Sequence, residues 1–261
     1  MDENGRYAIS AVVRALKVLK LFDRNHQSLS LTEISAMSGL TKSSALRIME
    51  SLESEGFVKR VEDTKKYKLG LELYLISNEG YAFSSLRNAA EPVIKKAVDE
   101  TGLVGHLGIM EDDKVLFISR IGPDANYDSY SIIATVGGVV PYHCTGIGKV
   151  LLAFSDPETQ ERLLSNCAYE KYTPHTITSR EKLEKELVKI RTQGYGINRE
   201  EHEQYVTCLT YPVYNYRNKI IAAVSLTGLT QVMEAKDPEF LHQTMRRLTQ
   251  ELQRECGHCK I

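Results

Sequence analysis

Apolar positions along the chain recur first at helical and later at strand spacing. Between Ile9 and Phe22, residues Ile9, Val12, Val13, Leu16 and Leu19 fall on one helical face, which predicts a first helix giving that face to a small core. Ser30 followed by Glu33, with Leu29 and Ile34 at the staple positions, spells a capping box and starts a second helix. Leu31, Ile34 and Met37 make its apolar stripe, and Gly39 stands where a left-handed residue ends it. Thr41 caps a third helix, in which Ala45, Ile48, Met49 and Leu52 repeat on one face and Ser43, Arg47 and Ser51 on the opposite one. Phe57 to Val61, a charged turn over 62–66 and a returning Tyr67-Lys68-Leu69 predict a hairpin. Two capped helices and a charged hairpin in this order predict a winged helix-turn-helix.

Leu71 to about Ser85 reads as a helical connector interrupted by Gly80, and Arg87 to Thr101 as a helix ended by Gly102, with Pro92 kinking it or marking its true start. From Leu103 the spacing turns strand-like. Leu103 to Met110 and Lys114 to Arg120 flank a turn at Glu111-Asp112-Asp113, and Tyr130 to Val136 is a third candidate strand. Helices are then predicted from Gly146 to Phe154, from Pro157 with Asp156 as cap, and from Arg180 to Thr192 between Ser179 and Gly194. Strands follow at Tyr195 to Asn198, Thr207 to Tyr214 and Ile220 to Leu226. A last helix runs from Pro238 with Leu241, Met245, Leu248 and Leu252 in register. Hairpin-spaced strands with helices grouped between them give the fold class α+β, an antiparallel sheet flanked by helices.

At 261 residues the chain is long enough for two domains, and charge divides with them. Met1 to Gly70 carries 12 Lys and Arg against 9 Asp and Glu, a net of +3, which leaves −4 for the remainder. The boundaries read as 8–71 for the winged helix, 72–86 for a linker helix and 87–257 for a second domain. No apolar run approaches the roughly 20 residues of a membrane span. The start, Met1-Asp2-Glu3-Asn4, shows no secretory pattern, so a soluble cytoplasmic protein is expected. Five scattered cysteines, an odd number, do not form a disulfide framework.

The polar face of the third helix suits a major groove, where Arg pairs bidentately with guanine and hydroxyls take phosphates or base edges. The candidates are Thr32, Thr41, Lys42, Ser43, Ser44 and Arg47, with Lys59, Arg60, Lys65 and Lys66 on the wing facing phosphate. Helix pairs of this kind also occur in domains that never touch DNA.

In the second domain, the run from Val140 to Lys149 places Gly146 and Gly148 at the mouth of a helix, where free N–H groups and the dipole favour a small anion. Cys208 and Thr210 on one strand, and Ser225 and Thr227 on a later one, share a face by their spacing of two; they either line a pocket or pack as small residues beneath helices. His106, His143, His202 and Cys208 offer zinc-type donors without ligand spacing, so no metal or other cofactor is expected. The terminal Cys256-Gly257-His258-Cys259 has no second CxxC and reads as a frayed tail.

These pieces resemble the IclR family of bacterial transcription regulators from about Ile9 to about Leu252. The resemblance is carried by Val13-Arg14-Ala15-Leu16, the run from Gly39 to Arg47, Tyr67-Lys68-Leu69-Gly70, His143 to Ala153, and Cys208 with Pro212-Val213. It implies a winged helix, a linker helix used in dimerisation, and a GAF-like C-terminal domain that binds a small effector. It also implies homodimers or dimers of dimers on double-stranded operator DNA, often repressing catabolic genes. Carried onto matching positions, the effector pocket involves Gly146, Ile147, Asn198, Val206, Cys208, Ser225 and Thr227. The chain departs from the family in having Asn198 where Asp is common, Tyr205 where Gly is usual and Ile147 where Ala is usual. Asn198 trades a charge for a donor, and the phenol and the branched side chain are expected to narrow or re-aim the cavity.

The function expected is a sequence-specific DNA-binding regulator, a repressor of a catabolic operon tuned by a sugar acid or aromatic acid, and not an enzyme. Two alternatives stand beside it. One is an enzyme using Cys208 as nucleophile with His143 as base. The other is a redox or metal sensor acting through Cys256 and Cys259.

Overall fold

The computed structural model describes residues 8–23, 25–80, 83–123 and 136–257, which fall into two compact units, Met1–Tyr81 and Ala82–Ile261. The first holds α1 (Ser10–Leu19), β1 (Leu29–Ser30), α2 (Leu31–Ser38), α3 (Lys42–Ser54), β2 (Val58–Arg60), β3 (Lys66–Leu69) and α4 (Leu71–Gly80). Local chemistry fixes its element ends. The Ser30 hydroxyl accepts from Glu33 N–H at 3.3 Å while the Glu33 carboxylate accepts from Ser30 N–H at 2.7 Å, a complete capping box. Gly39 ends α2 at φ 70°, and the Thr41 hydroxyl caps α3 through Ser44 N–H. One strand is absent from the sequence reading: β1 is only two residues long, and it pairs antiparallel with β3, Leu29 opposite Tyr67.

The core of this unit is Val18, Phe22, Leu29, Ile34, Ala45, Met49, Val58 and Tyr67. Of the face predicted for α1, only Leu19 packs on it. Ile9, Val12, Val13 and Leu16 are 68, 52, 37 and 53% exposed, and α1 meets the core through Val18, Leu19 and the following Leu21 and Phe22 instead. The helix carries two apolar stripes, and α2 and α3 cover the one built on Val18. Met37 likewise points outward. On α4, Leu71, Tyr74, Leu75 and Ile76 are all exposed.

The second unit comprises α5 (Phe83–Thr101), β4 (Val104–Glu111), β5 (Lys114–Ile121), β6 (Val139–Val140), α6 (Gly146–Ala153), α7 (Pro157–Asn166), α8 (Arg180–Gln193), β7 (Gly196–Arg199), β8 (Val206–Tyr214), β9 (Ile220–Leu229), α9 (Thr230–Glu234) and α10 (Pro238–Cys256). The connector predicted to Ser85 stops earlier: α5 starts at Phe83, and Phe83 and Leu86 are buried in this unit's core. Pro92 lies inside α5 and does not start it. Of the strand expected at 130–136, residues 130–135 lie outside the described residues and Val136 stands in a turn. The short β6 and α9 went unpredicted.

Among the described residues, the six strands of this unit form one antiparallel sheet in the order β6-β5-β4-β9-β8-β7. One face packs on α5 and α10 through Ile94, Val98, Leu107, Leu209, Val224, Leu226 and Met245. The other packs on α6, α7 and α8 through Phe117, Ile147, Val150, Leu163, Leu187 and Ala223. Because helices cover both faces, the central strands β8 and β9 are buried almost continuously, and their alternation is muted. Asp156, Ser179 and Asp237 cap α7, α8 and α10, and Gly194 closes α8 at φ 82°. Cys256 does not fray: it is the last residue of α10, fully buried, with its thiol at the Leu86 carbonyl.

Loss of the α2 capping box should be local. Ser30→Ala is expected to destabilise the N-terminal unit by about 1 kcal/mol, read as faster amide hydrogen exchange across α2, while Thr32→Ala, at an exposed first-turn position, leaves α2 protection unchanged.

Candidate nucleic-acid interface and ligand cavity

On α3, Ala45 and Met49 face the core while Lys42, Ser43, Arg47 and Ser51 lie exposed along the opposite side. Ser44 is half-buried, and its hydroxyl accepts from Thr41 Oγ1 at 3.0 Å, so Thr41 and Ser44 build the cap. Ser43 Oγ stands 3.1 Å from Thr41 Oγ1. Lys59, Lys65 and Lys66 are exposed on the wing, and Lys59 lies directly across from Lys68 on β3. Two ammonium groups at opposite positions of a strand pair repel, and a polyanion on that surface relieves the repulsion. Arg60 is placed differently from the sequence expectation. Its Nε donates to Glu53 at 3.0 Å and its guanidinium lies over the Tyr67 ring, so its charge is turned back onto α3.

In the second unit a cavity of about 50 Å³ opens between the mouth of α6 and the sheet. Gly146, Ile147, Asn198, Val206, Cys208, Ser225 and Thr227, which the sequence brings forward, all line it, together with His106, Phe117, Val140, Thr145, His202 and Glu203. Register explains the shared wall: Cys208 lies opposite Thr227, Thr210 opposite Ser225, and Ser225 opposite His106. Helix α6 can approach this wall because Gly146 has no side chain. A Cβ there would stand 2.4 Å from Thr210 Oγ1 and 2.6 Å from Cys208 Sγ. Thr145 caps the helix by accepting from Gly148 N–H at 3.2 Å and is itself held by donating to the Pro141 carbonyl at 2.7 Å.

Not every group is free to meet a ligand. Asn198 donates from Nδ2 to the Cys144 carbonyl at 2.9 Å and accepts from Glu201 N–H at 2.9 Å. The donor gained over a carboxylate is therefore engaged in joining β7 to the approach of α6. Burial pushes the Cys208 thiol up, against partial compensation from the Thr210 hydroxyl and the Gly146 N–H. That is the opposite of what a nucleophile needs. His143 does not line the cavity; its Nε2 lies 3.0 Å from the Glu170 carbonyl, and Tyr169 and Tyr172 flank the ring. The Cys208–His143 pairing is therefore not assembled. Among the described residues no three His, Cys, Asp or Glu side chains gather as metal ligands. Cys259 lies outside the described residues, and its predicted partner Cys256 is buried. Tyr205 does not narrow the cavity: it is 68% exposed, with its backbone in the left-handed region at φ 63°, where a glycine sits without strain. Ile147 does line it and packs against Gly108.

Two groups escaped the sequence reading. Lys149 is wholly buried in α6, and its Nζ donates to Glu201, to the Ile197 carbonyl at 3.1 Å and to Glu186 at 3.5 Å. A lone lysine inside the apolar run from Ile147 to Ala153 was the visible signal. His106, weighed only as a metal donor, is a cavity wall. Burial, reinforced by the Arg120 charge, lowers its imidazole to about 3, so it is neutral.

Unit 1 presents a helix whose exposed side carries Lys42 and Arg47 beside a lysine-bearing wing, and unit 2 holds a small cavity in a helix-flanked antiparallel sheet; a DNA-binding transcription regulator is the class these define. The model of the IclR helix-turn-helix domain matches residues 11–62, and that of the bacterial transcriptional regulator IclR C-terminal domain matches residues 82–254. The chain belongs to the IclR family. It is 32% identical to the HTH-type transcriptional regulator XynR of Escherichia coli K12, over 96% of this chain and 98% of that protein. It is 29% identical to KdgR of Dickeya chrysanthemi, over 94% and 80%. An IclR homolog of Microbacterium hydrocarbonoxydans, solved with 4-hydroxybenzoate, shares the fold with a TM-score of 0.84 at 24% identity, covering 94% of this chain and 98% of that one. Among the described residues no helix is long and apolar enough to cross a membrane.

The neutral state of His106 sets a pH dependence. In the unfolded chain imidazole titrates near 6.5, whereas in the folded protein His106 resists protonation down to about 3. The unfolded state therefore takes up the extra proton as pH falls through 6.5, and stability is lost below that pH by up to about 1.4 kcal/mol per unit from this group. Urea unfolding of the second unit between about pH 6 and 5 should show a slope shallower by that amount in His106→Gln. Equal slopes would contradict the assignment.

Proposed function

We propose that the protein is a homodimeric or tetrameric repressor of a catabolic operon, released from or locked onto its operator by a small organic acid. The carrying observation is the pairing of an outward Arg47 face and basic wing in one unit with a small cavity under a helix mouth in the other. In this reading Arg47 and Ser43 read base edges in the major groove. Lys42, Lys59, Lys65, Lys66 and Thr32 take phosphates, and Thr41 and Ser44 hold the helix start. The exposed stripes Ile9, Val12, Val13 and Leu16 on α1, and Leu71, Tyr74, Leu75 and Ile76 on α4, support a partner subunit, since apolar surface of this extent is costly in water. Two half-sites one helical turn apart would follow from a twofold dimer.

The acid would lie with its carboxylate toward the start of α6, where the Ile147 N–H has no acceptor among the described residues, and with its body against Val206, Cys208, Ser225 and Thr227. The 4-hydroxybenzoate in the Microbacterium homolog supports a carboxylate, and the acetate operon repressor of Salmonella typhimurium, 24% identical, supports repression. Binding energy at the cavity and at DNA is then coupled reciprocally.

Fluorescence anisotropy on DNA from upstream of the gene, against random DNA at two salt concentrations, tests the reading. Tight, sequence-dependent and salt-steep binding is expected. Arg47→Ala should weaken operator binding by about 1–3 kcal/mol and random DNA hardly at all, whereas Lys65→Ala should weaken both alike and flatten the salt slope. Equal losses on both DNAs for Arg47→Ala would remove it as a base reader.

A further inference from the structure

His106 stands on β4, 1% exposed, in the wall of the cavity and directly across the sheet from Ser225. Its Nδ1 lies 3.2 Å from Thr227 Oγ1, which lies 3.4 Å from Ser225 Oγ, and the Phe117 ring tilts against the imidazole at 5.2 Å. The ring is thereby fixed by its neighbours. Its other nitrogen, Nε2, is buried without any hydrogen-bond partner, and among the described residues lining the cavity it is the one buried side-chain polar atom left in that state. An orphan of this kind costs stability unless something that enters the cavity satisfies it.

A neutral imidazole carries one N–H and one bare nitrogen. When the Thr227 hydroxyl donates to Nδ1, with Ser225 donating in turn to Thr227, the proton sits on Nε2 and a donor without an acceptor is left. No charge change accompanies its use, because the ring stays neutral across the physiological range.

We propose that His106 is a specificity-determining residue of the cavity, its Nε2–H donating to a second oxygen of the bound acid, a hydroxyl, oxo or phenol group, beyond the carboxylate. The inference rests on the effector reading above and adds what that reading leaves open: which feature of an acid the sheet wall selects, and through which atom. An acid lacking the second oxygen leaves the buried N–H unpaired, whereas an oxygenated acid supplies the missing acceptor. The carboxylate end and the His106 end thus make separable contributions.

Calorimetric titration of the full chain with two matched pairs, lactate against propionate and 4-hydroxybenzoate against benzoate, separates them. In any pair that binds, the oxygenated acid should bind the wild type at least about tenfold more tightly. The ratio should fall to about one in His106→Leu and recover in part in His106→Gln, which restores an N–H at similar reach. Circular dichroism checks the fold of each variant, and His106→Asn, too short to reach, replaces His106→Leu if the latter does not fold. Equal affinities within a pair for the wild type, or a ratio that survives in His106→Leu and His106→Asn, overturn the role of His106 while leaving the cavity an acid site. If neither acid of either pair binds the wild type, the effector reading fails and this inference with it.

Discussion

The Lys149 ammonium lies entirely out of water, and the cavity depends on where it reaches. From the second turn of α6 it gathers the Glu201 carboxylate, the Ile197 carbonyl and the more distant Glu186 carboxylate. Three separate stretches of chain, α6, α8 and the β7 region, are thereby tied to one point. A buried charge of this kind is tolerated only with its partners in place, and removing one partner leaves the other uncompensated in a low dielectric. Glu201 shows the strain from its own side, since burial pushes its carboxyl up against the pull of Lys149. The loop that Glu201 begins carries His202 and Glu203 to the cavity, and the Glu201 N–H is also the donor that orients Asn198. The ion pair therefore positions both the floor and one side of the site.

A second constraint acts at the level of backbone. Helix α6 begins so close to β8 that Gly146 has room for no side chain. The small and hydroxylated residues opposite are the matching half of that approach. Seen this way, Cys208 and Thr210 pack the helix mouth onto the sheet, while Ser225, Thr227 and His106 remain as the polar wall. Pocket and packing are both roles of this one face, and Cys208 serves in both.

The first unit shows the same division between local and distant causes. Its caps lie within three residues of the amides they satisfy, so Ser30, Glu33, Gly39 and Thr41 could be placed from the chain alone. The orientation of α1 could not. An amphipathic pattern announces an apolar stripe but not whether the chain's own core or another surface covers it, and here the own core takes the stripe built on Val18. Arg60 likewise looked like part of a cationic wing by composition, yet Glu53, seven residues earlier on α3, captures it.

What the sequence determined by itself is most of the longer elements, their caps and stops, the division into two units, the exposed Arg47 face and the polar face of β8 and β9. All of these follow from hydrogen bonds a few residues long or from the fixed periods of helix and strand. What only the tertiary structure decided is the use of each group. Asn198 is spent on Cys144, 54 positions away, and His106 meets Thr227 across 121. Tyr205 turns outward, and Lys149 finds its acid 52 residues on. Those partners are chosen by strand order and by the space left beneath a helix, and neither is encoded in any local stretch of residues.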